Sequence, residues 1–137
     1  MMLTKNLSIE EYFRGEVVTD ELKNNAIALA VNVFQPLRDY MGVPINVNSG
    51  YRSPAYNKKI GGAKGSQHTK AEAIDLDTRS IELNKKMFDY IKDNLEFDQL
   101  INEFNYAWIH VSFSRKGNRK QVLNAIKRGG RTTYLNY

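Results

Sequence analysis

The stretch "AEAIDLD" (71–77) alternates apolar and polar residues with the two-residue period of a half-buried strand. Such a strand sends Ile74 and Leu76 into a core and turns Ala73, Asp75 and Asp77 to the opposite face. "WIHVSF" (108–113) repeats the pattern, with Ile109, Val111 and Phe113 on one side and Trp108, His110 and Ser112 on the other. Two strands of this kind admit few architectures. One face of their sheet must be buried against other elements, and the polar face is left for chemistry.

The helices are legible. In "TDELKNNAIALAVNVFQPLRDYMG" (19–42), Leu22, Ala26, Leu29, Val33 and Leu37 recur at helical spacing behind Thr19 as N-cap. Gly42 supplies a stop, and Pro36 predicts a bend because it lacks a backbone donor. "PINVNSG" (44–50) reads as a strand, "SPAYNKKIGG" (53–62) as a short helix started by Ser53 and Pro54, and "SIELNKKMFDYIKDN" (80–94) as a capped amphipathic helix. "FDQLINEF" and "WIHVSFS" flank a four-residue connection, 104–107, the length of a β-hairpin loop. The predicted fold class is α+β, an antiparallel sheet with helices packed on one face. With 137 residues, no repeat and no low-complexity linker, one domain over 1–137 is expected, its core at about 22–115 and a basic extension at 115–137.

Charge divides the chain. Residues 115–137 carry seven Lys and Arg and no acidic residue, leaving 13 basic against 15 acidic in the body. Such an extension suits an anionic polymer such as nucleic acid or a cell-wall glycopolymer, or it is a solvated surface helix and terminus. It lacks aromatics interleaved with the basic residues, so nucleic acid is not the expected partner. The chain has no cysteine, which excludes thiolate metal sites and cysteine nucleophiles. No apolar run reaches membrane-spanning length, and "MMLTKNLSIEEYF" has acidic residues where a signal peptide is apolar. Synthesis as a cytosolic protein without its own export signal, and a monomeric state, are the expectations.

The chain has two histidines, His68 and His110. Zinc accepts imidazole nitrogen and carboxylate oxygen, and catalytic sites use three protein ligands with one position left for water. His68, Asp75 and His110 supply such a set. The competing reading is a pair of hydrogen-bonded structural histidines. Asp77, on the same strand face as Asp75, is a second carboxylate candidate, although capping before Ser80 or pairing with Arg79 also accounts for it.

Three blocks favour the metal. "SGYRS" (49–53), "SQHTKAEAID" (66–75) and "WIH" (108–110), taken in order, resemble the zinc D-Ala-D-Ala carboxypeptidase family, the M15 peptidases. In particular, the chain looks like the short peptidase domain of bacteriophage and prophage lysis proteins. The family motif Ser-x-His-x-x-Gly-x-Ala-x-Asp is matched at Ser66, His68, Ala73 and Asp75. The resemblance implies Zn²⁺ held by His68, Asp75 and His110, and a fold like that of these peptidases and of hedgehog signalling domains. It implies that Arg52 engages a carboxylate or carbonyl of the substrate, where a guanidinium makes paired hydrogen bonds. Ser66 and Gln67 are expected to touch substrate or orient His68, and Tyr51 and Trp108 to line the cleft, unless those aromatics belong to the core.

Two positions depart from the family. Ala71 stands where the motif has glycine, and Ala107 stands three residues before His110, where the best-known members have a catalytic glutamate. The hairpin nominates a replacement. If Glu103 pairs with Trp108, then His110 faces Ile101, and Glu103 lies diagonally from His110 on the same sheet face. Diagonal neighbours are roughly 7–8 Å apart at the backbone, which suits a carboxylate that works beside a metal without ligating it. The alternative is a surface glutamate on an edge strand. The expected function is a zinc metallopeptidase that hydrolyses peptide bonds of bacterial peptidoglycan stem peptides, as carboxypeptidase or endopeptidase, lysin-like and acting at the wall once released. The alternative is a non-catalytic zinc-binding domain of the same fold that binds the wall or a protein partner.

Overall fold

The computed structural model describes residues 1–137. Strands β1 (Met2–Thr4) and β2 (Leu7–Ser8) form a small antiparallel pair, and Ser8 caps helix α1 (Ile9–Phe13) through a capping box with Glu11. Leu3, Leu7, Tyr12 and Phe13 enter the main core, which therefore begins well before residue 22. Tyr12 serves the site directly. Its hydroxyl donates to the Ala73 carbonyl at 2.7 Å, and its own carbonyl accepts from the Tyr51 N–H at 2.9 Å.

Thr19 caps α2 (Asp20–Leu29) by accepting from the Leu22 N–H. The helix does not break at Pro36. A π turn at Ala30–Phe34 widens the backbone just before it, and α3 (Gln35–Met41) continues to Gly42, whose φ of 66° closes the helix in the left-handed region. Strand β3 (Asn46–Ser49) leads to α4 (Pro54–Lys59), capped by Ser53, and a 3₁₀ turn at Gln67–Lys70 precedes β4 (Ala73–Asp77). Ser80 caps α5 (Ile81–Asn94), and β5 (Gln99–Glu103) and β6 (Trp108–Ser112) form the hairpin.

The basic extension is neither helix nor tail. It forms β7 (Gln121–Arg128) and β8 (Arg131–Asn136), which complete a six-stranded sheet ordered β3-β4-β6-β5-β7-β8. All neighbours in this sheet are antiparallel except β5 and β7, so the expected α+β sheet is mixed. Ile74, Leu76, Leu100, Ile109 and Val111 point into the core beneath α2, α3 and α5, alongside Leu29, Phe34, Met87 and Phe88. The opposite face is open. Residues paired across neighbouring strands share a face, so Asp75, His110, Ile101 and Leu123 form one row across it. Trp108, Glu103, Ala125 and Tyr134 form the next.

Candidate metal centre

β4 and β6 pair with Asp75 directly opposite His110, and the 3₁₀ turn brings His68 over the same spot. His68, Asp75 and His110 are all buried, and one ligand atom from each lies within 4.8 Å of the others. His110 Nδ1 is 3.1 Å from Asp75 Oδ1, and His68 Nε2 is 3.4 Å from Asp75 Oδ2. Ligand atoms held at 2.0–2.2 Å around a tetrahedral zinc are separated by about 3.3 Å, so the spacing suits one ion.

The proton inventory points the same way. His68 Nδ1 lies 2.7 Å from the Gly50 carbonyl. A carbonyl only accepts, so Nδ1 carries the proton and Nε2 turns its lone pair toward Asp75. Two acceptors at that distance repel unless a cation or a proton lies between them. His110 Nε2 is buried with no hydrogen-bond partner. Two imidazoles and one carboxylate thus converge with fewer donors than acceptors, which fits a divalent cation better than a hydrogen-bonded structural cluster. Burial pushes the Asp75 carboxyl up, but when the facing imidazoles of the metal-free protein are protonated, hydrogen bonds and charge from His110 and His68 outweigh it and hold the group well below the usual carboxylate range.

The "SGYRS" block is the frame. A Cβ on Gly50 would sit 2.4 Å from the Tyr12 carbonyl oxygen and 2.6 Å from its ring, so only glycine allows this approach. That approach aims the Gly50 carbonyl at His68. Arg52 donates through Nε to Ser49 Oγ at 3.0 Å and through Nη2 to Asp75 Oδ2 at 3.5 Å, while its N–H donates to the His68 carbonyl. It braces the cluster and still lines the cleft. Tyr51 does not line the cleft. Its ring packs on Phe13 at 5.4 Å, against the core, because its N–H is tied to Tyr12.

Ser66 caps the 3₁₀ turn by accepting from the His68 N–H, and Gln67 Nε2 donates to Asp98 Oδ2 at 2.7 Å. Both line the cleft, as does Trp108, whose ring packs on Phe104 at 5.4 Å. Ala71 takes φ 57° and ψ 36°, the left-handed conformation that a glycine adopts freely. That conformation costs alanine about 1–2 kcal/mol, offset by about 0.8 kcal/mol for its buried methyl and by the lower unfolded-state entropy of alanine. Alanine at this position therefore carries a small net cost relative to glycine. Asp77 stays out of the cluster: its Oδ1 accepts from the Arg79 N–H at 2.7 Å and from Asn84 Nδ2 at 2.9 Å.

Glu103 pairs with Trp108 and Ile101 with His110, the register that the four-residue loop predicts. Three successive left-handed residues, Phe104, Asn105 and Tyr106, make that loop, and Asn102 Oδ1 holds it by accepting from the Tyr106 N–H. Because β7 flanks β5, Glu103 lies on an interior strand rather than an edge, and it is only 8% exposed. Burial pushes its carboxyl up to about 7; the charges of His110 and Arg52 pull it down, and Asp75 raises it further. No hydrogen bond from the protein stabilises its ionised form.

A raised carboxyl lets the folded protein bind a proton more tightly than the unfolded chain does. Its stabilising effect is complete below pH 4.5 and is lost as the pH rises through about 7. In metal-free protein, stability should therefore fall between pH 4 and pH 8 by on the order of 3 kcal/mol more in wild type than in Glu103→Gln. Urea unfolding at the two pH values measures the difference; equal pH dependence in both proteins would show that Glu103 is not held this way.

The Peptidase M15 family model matches residues 5–112. The chain belongs to the M15 peptidase family. M15 peptidases are zinc-dependent, and in this member His68, Asp75 and His110 stand grouped for the metal. No curated protein matches the chain. The M15 match stops at the end of β6, so β7 and β8 lie outside it.

Sequence reasoning missed three contributors to the site. Gly50 as the acceptor for His68 was hidden because a carbonyl has no residue-specific signal. Asp98 accepts from Gln67 and from the N–H, Nε and Nη2 of Arg119, and this carboxylate, held below its usual range by Arg119, ties the extension to the His68 loop. Tyr134 reaches the cleft only through the unforeseen pairing of β7 with β5.

Proposed function

We propose that this M15 peptidase hydrolyses peptide bonds in the stem peptides of bacterial peptidoglycan, in the manner of a lysin. The observation that carries the reading is a buried, unpartnered glutamate one diagonal step from a three-ligand metal cluster, on the floor of an open cleft of about 910 Å³. The bound metal supplies a Lewis acid for the peptide carbonyl and an acidified water.

The residues of the chain do the rest. Glu103, ionised, takes a proton from the attacking water and returns it to the leaving amine nitrogen. The absence of a hydrogen-bond donor on its carboxylate favours this role, because no internal donor competes with the water for its oxygens. Arg52 has three nitrogens in a fixed fork, one on Ser49 and one near Asp75. Its free edge meets a substrate carboxylate or carbonyl. Ser66 and Gln67 hold the His68 loop, and Trp108 forms part of the wall.

The substrate class rests on family membership and on charge. Arg52, Lys64, Lys70 and Arg119 line the cleft beside Glu72, Asp75, Asp98 and Glu103; Lys64 and Lys70 form no ion pair there and are placed to meet the free carboxylates that stem peptides carry. Lys127, Arg128 and Arg131 at the tip of the β7–β8 hairpin add an exposed cationic patch suited to an anionic wall polymer. The rival reading, a metal-binding domain without catalysis, draws on Ala107, the position from which the family's usual glutamate is missing.

Turbidity of purified peptidoglycan separates the two. Peptidase action predicts clearing with release of new amino termini, abolished by a chelator and restored by added zinc. Binding to the wall without any new amino termini would leave the non-catalytic reading standing.

A further inference from the structure

The family match ends at residue 112, but the cleft does not. Its floor continues across the sheet in His110's own row, from His110 to Ile101 on β5 and Leu123 on β7. In the adjacent row, Glu103 is followed by Ala125 and then by Tyr134 on β8. Ile101, Leu123 and Ala125 form an apolar cluster of their own, separate from the main core, with Phe104 packed against it. Ile101 and Leu123 line the cleft with Ala125 buried behind them, and Tyr134 beside them is 54% exposed and lines the same cleft.

Strand spacing sets the scale. Neighbouring strands lie about 4.8 Å apart and an extended peptide advances about 3.3 Å per residue. Leu123 is two strands from His110, so a peptide crossing the sheet reaches it roughly three residues from the bond at the metal centre. The floor is also anchored to that centre. Arg119, at the entry to β7, is bound to Asp98, and Asp98 holds Gln67 next to His68.

We propose that β7 and β8 form a substrate subsite that seats an uncharged side chain about three residues from the cut bond, on Ile101 and Leu123 with Tyr134 alongside. The substrate is then an oligopeptide that continues past the scissile bond, and the action is that of an endopeptidase. This inference rests on the peptidase reading above.

The test uses blocked stem-peptide fragments, lengthened one residue at a time on each side of the cut, with leucine or glutamate at the third position. For the wild-type chain, adding an uncharged third residue on one side should raise kcat/KM about tenfold or more, the low end of what burying an apolar side chain yields. Glutamate there should give no gain. In Tyr134→Ala and in Leu123→Asp the ratio of long to short substrate should fall toward one, and a ratio is insensitive to any lost folded fraction. Wild type without a length effect, or variants that keep it, would overturn the subsite.

Trp108, the chain's one tryptophan, gives a second readout that needs no turnover. In Glu103→Gln, the longer uncharged peptide should change its fluorescence at about tenfold lower concentration than the short one, and adding Tyr134→Ala should erase the gap. A wild type that cuts none of these peptides would sink the peptidase reading. The fluorescence gap would then still decide the subsite, upholding it if present and overturning it if absent.

Discussion

Glu103→Gln is expected to lower kcat by roughly 10²–10⁴-fold, the usual contribution of a general base, while bound zinc stays at the wild-type level. The substitution keeps the shape of the side chain and removes only its ability to take a proton. Of the other carboxylates that line the cleft, Asp75 belongs to the metal cluster, Asp98 is saturated by Arg119 and Gln67, and Glu72 stands before β4 begins, three residues along the chain from Asp75 and outside the rows that hold His110 and Glu103. Because Glu103 acts on the proton in flight, the loss should fall on kcat and leave KM within about twofold of wild type. Steady-state kinetics on one stem-peptide fragment, paired with elemental analysis, makes the measurement. Unchanged kcat would remove Glu103 from the reaction, and loss of zinc would move it into the metal site.

Replacing a histidine of the cluster should have the larger effect. His68→Ala removes one nitrogen donor and frees the Gly50 carbonyl; His110→Ala leaves Asp75 with one imidazole. A two-ligand remnant does not hold zinc at the concentrations of a purified protein, since such sites use three protein ligands or more. Activity should fall below detection in both variants. The folded state should survive in His110→Ala: in the metal-free protein that ring leaves a buried nitrogen without a partner, and removing it relieves that cost. A melting curve near that of the metal-free wild type, with zinc no longer raising it, is the expected signature.

Much of this site could be read from the order of residues, because the decisive interactions are local or nearly so. Two-residue alternation put Asp75 and His110 on one face of their strands, and a four-residue loop fixed the register that brings Glu103 beside His110. Thr19, Ser53, Ser80 and Gly42 announce helix ends through chemistry confined to one turn. The failures share a different cause. The parallel pairing of β5 with β7 joins segments separated by the whole of β6 and its following loop, and no short pattern encodes such a partner. Read by charge alone, 115–137 looked like an extension. Its short apolar run of Val122, Leu123, Ala125 and Ile126, interrupted only by Asn124, was a strand signal overshadowed by the lysines and arginines. Tyr51 was drawn to the cleft by its neighbours in sequence, whereas Tyr12, from a segment outside the expected core, holds it inward.

The proposed chemistry requires His68, Asp75 and His110 to hold one zinc ion between them. Elemental analysis of the purified chain after dialysis against a weak chelator, run beside His68→Ala and His110→Ala, tests this most directly. The expected result is one zinc per wild-type chain and none in either variant. Stoichiometric zinc retained by both variants would contradict it.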